Sequence, residues 1–220
     1  LAQTKKLLRQ SGLRARKGLG QHFLVDSDAL DTIVAAAELA PEDTVIEVGP
    51  GLGILTRELA RKAGWVIAIE LDDKLAGALE KSLAEFDNVV IINRDVLGTD
   101  PSALLREREA PIPPELNSYK VVANLPYYIT SPILQKIVDW PGYQSSYVMI
   151  QKEVADRLVA EPGSSDYGIL TISVGLKAET KKLFNVPQID FSPPPKVLSS
   201  VIKISPHSKY NLSGIDEKSF

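Results

Sequence analysis

Short apolar runs alternate with amphipathic stretches along most of the chain. Val45, Ile46 and Val48 form the first run, Trp65 to Ile69 the second and Val89 to Ile92 the third. All three are rich in β-branched residues, the pattern of strands buried in a parallel sheet. Between them, Leu55, Leu59 and Ala63, and then a segment from about Asp73 to Glu85, carry apolar positions at helical spacing. An earlier helix is predicted by Leu30, Ile33, Val34 and Ala37, with Ser27 as its cap, Asp28 and Asp31 in its first turn, and Pro41 closing it. Strand, helix, strand, helix, strand is the order of a doubly wound α/β sheet. Downstream, Tyr119–Ala123, Ser146–Ile150, Leu170–Leu176 and Ser199–Ile204 predict four more strands. One helix opens at Ser131-Pro132 with Ile133, Ile137 and Trp140 on one face, and another runs from about Lys152 to Ala160. Residues 97–118 read as a proline-rich surface excursion with a short helix around Ala103 to Glu109, and residues 161–168 as a loop.

The pattern is punctuated most sharply after the first strand, where Gly49, Gly51 and Gly53 precede a helix starting at Ile54. Glycines at a strand-to-helix turn allow positive φ and close approach of a ligand, and the helix behind them directs free N–H groups toward it. The spacing is G-x-G-x-G, with Ile54 where the third glycine of a dinucleotide fingerprint would stand. By itself the motif fits a nucleotide-like cofactor and a plain glycine-rich turn about equally well.

Composition narrows the chemistry. The 220 residues are enough for one well-cored domain, and no apolar run approaches the ~20 residues of a membrane span. There are no cysteines, which excludes disulfides and thiolate metal sites, and His22 and His207 alone cannot supply a metal centre or a histidine-based triad. The net charge of −3 conceals an asymmetry. Lys5, Lys6, Arg9, Arg14, Arg16 and Lys17 fall in the first 22 residues with no acid among them, while the remainder carries 19 basic against 28 acidic residues. A basic arm on an acidic body suits a polyanion met at one edge, and equally describes a solvated tail or an acid-poor leader.

Three acidic residues are predicted at strand C-termini: Glu47 in the first, Glu70 after the second and Asp95 after the third. Ligands of such sheets bind at those ends. Glu70 lies 21 residues past Gly49, the distance at which an acid reaches ribose hydroxyls, and Asp95 is placed to accept from an adenine amino group. Three carboxylates would repel the pyrophosphate of a dinucleotide. S-adenosyl-L-methionine has no phosphate and carries sulfonium and ammonium charges. One such charge pair is worth about 4 kcal/mol at about 4 Å and an effective dielectric near 20, before desolvation, so the sign favours the sulfonium cofactor.

Asn124-Leu125-Pro126-Tyr127 follows the fourth strand directly and so falls on the cofactor rim. The amino group of a base is a poor nucleophile because its lone pair is conjugated with the ring. Acceptors on its hydrogens, the Asn124 side-chain oxygen and the Pro126 carbonyl, favour a pyramidal nitrogen with its lone pair aimed at the methyl. Tyr127 offers a stacking face worth about 1–3 kcal/mol. A plain Asn-x-Pro turn with a packing tyrosine is the alternative reading of the same four residues.

Glu47–Thr56, Ile69–Asp72, Asn93–Asp95, Asn124–Tyr127 and Phe191–Val197 resemble, in order, the motifs of the small-subunit ribosomal RNA adenine dimethyltransferases, the KsgA family. Gly18–Leu24 resembles that family's amino-terminal signature, and Gln151–Leu158 fits it too. The resemblance covers nearly everything from Arg16 to Pro206. It implies a seven-stranded, mostly parallel Rossmann-like methyltransferase sheet whose last strand is antiparallel. Residues 18–206 would form the methyltransferase domain behind an arm of residues 1–17. Residues 207–220 would begin a linker or a truncated C-terminal domain, the family's small helical domain being largely absent.

The activity implied is N6,N6-dimethylation of two adjacent adenosines of small-subunit rRNA by a cytoplasmic, monomeric enzyme. S-adenosyl-L-methionine would be converted to S-adenosyl-L-homocysteine without a metal or a membrane. Carried over by position, His22, Leu24 and Gly49 would line the cofactor's methionine end, and Gly51 would also bind the cofactor. Glu70 would hold the ribose and Asp95 the adenine. Asn124 would bridge cofactor and base, and Tyr127 and Phe191 would sandwich that base. His22 stands where many members have Asn. Arg14, Arg16 and Lys17 would touch rRNA. Rival readings are a large-subunit rRNA dimethylase, a DNA adenine methyltransferase, a ribosome-assembly factor acting mainly by binding, and a nicotinamide-dependent oxidoreductase.

Overall fold

The structure is a computed structural model that describes residues 22–104 and 118–210. In chain order its strands and helices are β1 (Phe23–Leu24), α1 (Ser27–Ala36), β2 (Thr44–Val48), α2 (Ile54–Ala60), β3 (Trp65–Glu70), α3 (Asp73–Ser82), β4 (Val89–Asn93) and α4 (Pro101–Leu104). There follow β5 (Tyr119–Asn124), α5 (Thr130–Ile137), β6 (Tyr143–Gln151), α6 (Lys152–Leu158), α7 (Ile169–Gly175), β7 (Ala178–Val186), β8 (Phe191–Ser192) and β9 (Ser199–Pro206). Seven strands form one sheet in the order β4-β3-β2-β5-β6-β9-β7. The pairs from β4 to β6 are parallel, and β9 runs antiparallel to both of its neighbours, as the resemblance implied.

Burial explains why the strands lack alternation. Val45 and Ile46 are adjacent and both fully buried, so both faces of the sheet are covered. On one face Leu30, Ile33 and Val34 of α1 pack with Leu55 and Leu59 of α2 against Val45, Val66 and Val122. On the other, Ile133, Leu134 and Ile137 of α5 and Val154 and Leu158 of α6 pack against Ile46, Val121 and Val148. Leu79 of α3 and the following Leu83 cover Ala68 and Ile91. The order reverses between β2 and β5, which place Gly49 and Asn124 on one rim.

Several expectations change. Leu170–Leu176 is not a strand: Ile169–Gly175 is helix α7, and the sixth strand of the sheet is Ala178–Val186. The β-branched run Ile-Leu-Thr-Ile-Ser-Val imitates a strand, but only its helical spacing buries Thr171 and Val174 together while leaving Ile169 and Ile172 exposed. The strand that takes the edge carries Lys181 and Lys182, charges that an edge tolerates. Asp26, not Ser27, caps α1, accepting from Asp28 and Ala29 N–H. α5 starts at Thr130 after Ile129 rather than at a Ser131 cap. The helix expected around Ala103 to Glu109 lies mostly outside the described residues, as do Arg14, Arg16 and Lys17.

Candidate active site

The glycine turn runs through left-handed backbone. Gly49, Gly51 and Gly53 have φ of 69°, 59° and 73°, a left-handed region costly for other residues. A Cβ on Gly51 would stand 3.0 Å from the Phe23 ring, so that glycine also makes room for β1. Gly49 N–H donates to the Ile69 carbonyl at 2.9 Å and Gly53 N–H to the Pro50 carbonyl at 2.9 Å, fixing the turn against β3. The cavity above it is lined by Leu24, Gly49, Gly51 and Glu70, by Asp95, and by Asn124, Pro126 and Tyr127, all named from the sequence, with His22 at its edge.

The three carboxyl groups do not carry equal charge. Glu47 is wholly buried, its Oε2 has no hydrogen-bond partner, and it lines the cavity. Burial pushes its pKa from 4.5 to about 8, the Thr56 hydroxyl opposes this, and the Glu70 charge adds to it. At pH 7 Glu47 is therefore mostly protonated, which corrects the expectation of three anions. Burial also raises the Glu70 pKa, against the Asp72 and Gly51 N–H groups that donate to its oxygens at 2.9 and 3.3 Å. Asn93 Nδ2 donates to the Glu70 and Leu71 carbonyls and locks the exit of β3. Asp95 is exposed, and one of its oxygens accepts from Leu97 N–H at 2.9 Å, capping the turn at Val96–Gly98.

On the opposite wall, Leu125 N–H donates to the Met149 carbonyl and ties the Asn124–Tyr127 turn to β6. Asn124 Nδ2 donates to the His22 carbonyl at 3.0 Å, while its buried Oδ1 has no partner. An unpaired buried acceptor in a cavity wall is unstable without a donor, so Oδ1 is built to receive one. Pro126 differs from expectation. Its carbonyl already accepts from Thr130 Oγ1 at 3.0 Å and Ile129 N–H at 3.3 Å, so an amine reaching it has to displace one of them. Thr130 Oγ1 has a second acceptor in the Tyr127 carbonyl at 3.4 Å. The Tyr127 hydroxyl shares a hydrogen bond with Ser199 Oγ, and its ring lies 5.6 Å from the His22 ring at 31°. His22 Nδ1 is 2.8 Å from the Pro193 carbonyl.

Phe191 is not brought into the cavity wall. It pairs with Leu24 across β1 and β8 and is buried among Leu24, Val186 and Val201, so a stack on a base requires it to leave that packing. Conversely, Tyr128 lines the cavity half-exposed, with its phenol pushed up by burial and then by Asp95 and Glu70. The doubled Tyr127-Tyr128 is the only trace of it in the sequence. Thr130 and Ser199 left no such signal, because a neighbour's carbonyl and a side chain 72 residues away define them. Among the described residues there is no group of three or more His, Asp or Glu that could hold a metal ion, and no helix long and apolar enough to cross a membrane.

Orphaned acceptors at Glu47 and Asn124, carboxylates at two further strand ends and a glycine turn without a phosphate-binding fingerprint define a Rossmann-like methyltransferase. Comparison with known proteins narrows this class. The chain belongs to the ribosomal RNA adenine dimethylase family, whose model matches residues 12–220. It is 45% identical over 221 residues to ribosomal RNA small subunit methyltransferase A of Dehalococcoides mccartyi strain 195, covering 100% of this chain and 72% of the relative. It is 44% identical over 208 residues to the protein of the same name from Lactiplantibacillus plantarum, covering 93% of this chain and 68% of that one. Among solved structures it is similar to a dimethyladenosine transferase from Plasmodium falciparum, with a TM-score of 0.71 and 33% identity over 84% of this chain and 64% of that one. The 23S rRNA methyltransferase ErmE gives a TM-score of 0.70 and 32% identity over 87% of this chain and 72% of that one.

Proposed function

We propose that residues 18–206 transfer methyl groups from S-adenosyl-L-methionine to the N6 amines of two adjacent adenosines of small-subunit rRNA, giving N6,N6-dimethyladenosine. The observation that carries this reading is the unpaired, buried Oδ1 of Asn124 on the rim shared with the glycine turn. The bound cofactor supplies an electrophilic methyl on a sulfonium, so the protein need only orient and polarise the amine. Asn124 Oδ1 accepts one N6 hydrogen, held in direction by the bond from its own amide to the His22 carbonyl. The Pro126 carbonyl takes the second when the Thr130 hydroxyl turns to the Tyr127 carbonyl. Tyr127 stacks the base, and proximity in this geometry provides much of the rate.

The residues fit the cofactor. Glu70 and Asp95 end neighbouring strands and suit the ribose and adenine, and Glu47 Oε2 offers an acceptor to a cationic group. Leu24, Gly49 and Gly51 bound the methionine end. Asn124 would bridge cofactor and base. The small-subunit reading is supported by the relatives named ribosomal RNA small subunit methyltransferase A, 45% and 44% identical to this chain against 32% for the 23S enzyme. Arg14, Arg16 and Lys17 would neutralise rRNA phosphates. Labelled methyl transfer to unmethylated small and large subunits, followed by nucleoside mapping, tests the reading. Two adjacent dimethyladenosines in the small subunit are expected, and modification of the large subunit alone overturns it.

A further inference from the structure

We infer that Ser199 is a positioning residue for methyl transfer, holding the Tyr127 side chain in the χ1 setting that places its ring beside the target base; this rests on the reading of Tyr127 given above. The two side chains are 72 residues apart and share a hydrogen bond of 2.5 Å. Ser199 is fully buried and opens β9, where it is paired on one side with Gln151 and on the other with Val186. Main-chain partners on both sides fix its Cα, so its hydroxyl is anchored by the sheet rather than by a loop. Tyr127 has no such support: it sits in a three-residue turn without a side-chain cap, flanked by the tilted His22 ring. The hydroxyl oxygen of a tyrosine lies on the axis about which the ring turns, so pinning it to a fixed point sets χ1 and with it where the ring stands.

The neighbouring serine shows that the arrangement is specific. Strand alternation turns Ser200 to the opposite face, where its hydroxyl donates to Asn185 Oδ1 at 2.7 Å and joins β9 to β7. Ser199 instead directs its hydroxyl to a ring in the cavity wall. The antiparallel strand therefore reaches into the site through this one hydrogen bond. Without it χ1 is free to change, which carries the ring away from the stacked base and moves its amine off Asn124 Oδ1. Cofactor binding on the strand tips β2 to β4 is untouched by that change.

A double-mutant cycle tests this, with Ser199→Ala, Tyr127→Phe and the pair, and Ser199→Thr as the variant that keeps the hydroxyl. Methyl transfer to unmethylated small subunits gives kcat and KM, and titration gives the affinity for S-adenosyl-L-methionine. Each single change is expected to lower kcat about tenfold, with the double variant no worse than either and cofactor affinity unchanged. Ser199→Thr is expected to recover most of the loss. Wild-type kcat for Ser199→Ala, or losses that multiply in the double variant, overturns the assignment. If Ser199→Ala does not fold, Tyr127→Phe decides alone: a loss supports the assignment and a wild-type rate overturns it. Tyr127→Ala separates the two readings, because a full rate there removes the stacking role itself, whereas a loss confined to Tyr127→Ala removes only the part given to Ser199.

Discussion

Glu47 has the least comfortable side chain in the cavity. Its carboxyl group is buried with an unpaired oxygen, and the neutral acid is favoured up to about pH 8. The folded state thus holds a proton that the unfolded chain releases near pH 4.5, so stability should fall as pH rises from about 4.5 to about 8 and level off above. Glu47→Gln, which mimics the neutral acid, should flatten that slope in urea titrations at a series of pH values. A cation bound at Oε2 reverses the preference and expels the proton. Affinity for S-adenosyl-L-methionine should therefore rise with pH up to about 8, and Glu47→Gln should reduce this dependence in equilibrium titrations. Asn124 gives a different signature. With its amide bonded to the His22 carbonyl, Asn124→Ala removes the acceptor for the amine and should lower kcat about 10²-fold or more, by analogy with lost oxyanion donors. Cofactor affinity should change far less, and single-turnover methyl transfer beside a binding titration would separate the two.

Elements carry these residues to one rim, and the glycine turn sets the geometry. Gly53 precedes α2 at φ 73°, and a Cβ there would fall 2.8 Å from Leu79 Cδ2 of α3, a side chain only 1% exposed. Gly53→Ala should thus combine left-handed strain with overpacking and cost about 2 kcal/mol or more, read as a lower urea midpoint at unchanged slope. The turn and the strands around it were legible because β2 to β4 are continuous apolar runs ending in Gly49, Glu70 and Asn93-Arg94-Asp95. Helix α7 was not, since intrinsic preference favoured a strand at Ile169–Gly175 and only burial of Thr171 and Val174 on the core side of the helix, away from the exposed Ile169 and Ile172, overrides it. The strand that replaced it, Ala178–Val186, is half polar because it lies at the edge. Its sequence therefore lacks the signal on which the buried strands were found.

At the scale of the whole molecule, the glycine-turn side of the cavity was readable and the side around Tyr127 was only partly so. Gly49, Gly51, Glu70, Asp95 and Asn124 converge because their positions follow from strand ends and the order reversal between β2 and β5, whereas Leu24 was named by the resemblance alone. Phe191 departs from expectation because its pairing with Leu24 is a tertiary fact with no local pattern, and the Pro126 carbonyl because the Thr130 hydroxyl, four residues on in the same turn, already donates to it. Charge is also distributed at this scale: six basic residues and no acid occupy the first 22 positions. Deleting residues 1–17 should reduce the slope of log affinity for the small subunit against log salt by about one for each phosphate that the arm neutralises. An unchanged slope in filter-binding assays would remove the arm from the interface. The predictions about binding and transfer share one placement, a phosphate-free cationic methyl donor across the tips of β2, β3 and β4. A crystal structure of the protein with S-adenosyl-L-methionine tests that placement most directly. The adenosyl half is predicted between Glu70 and Asp95 with the sulfonium toward Asn124, and an adenosyl group bound anywhere else would contradict the account.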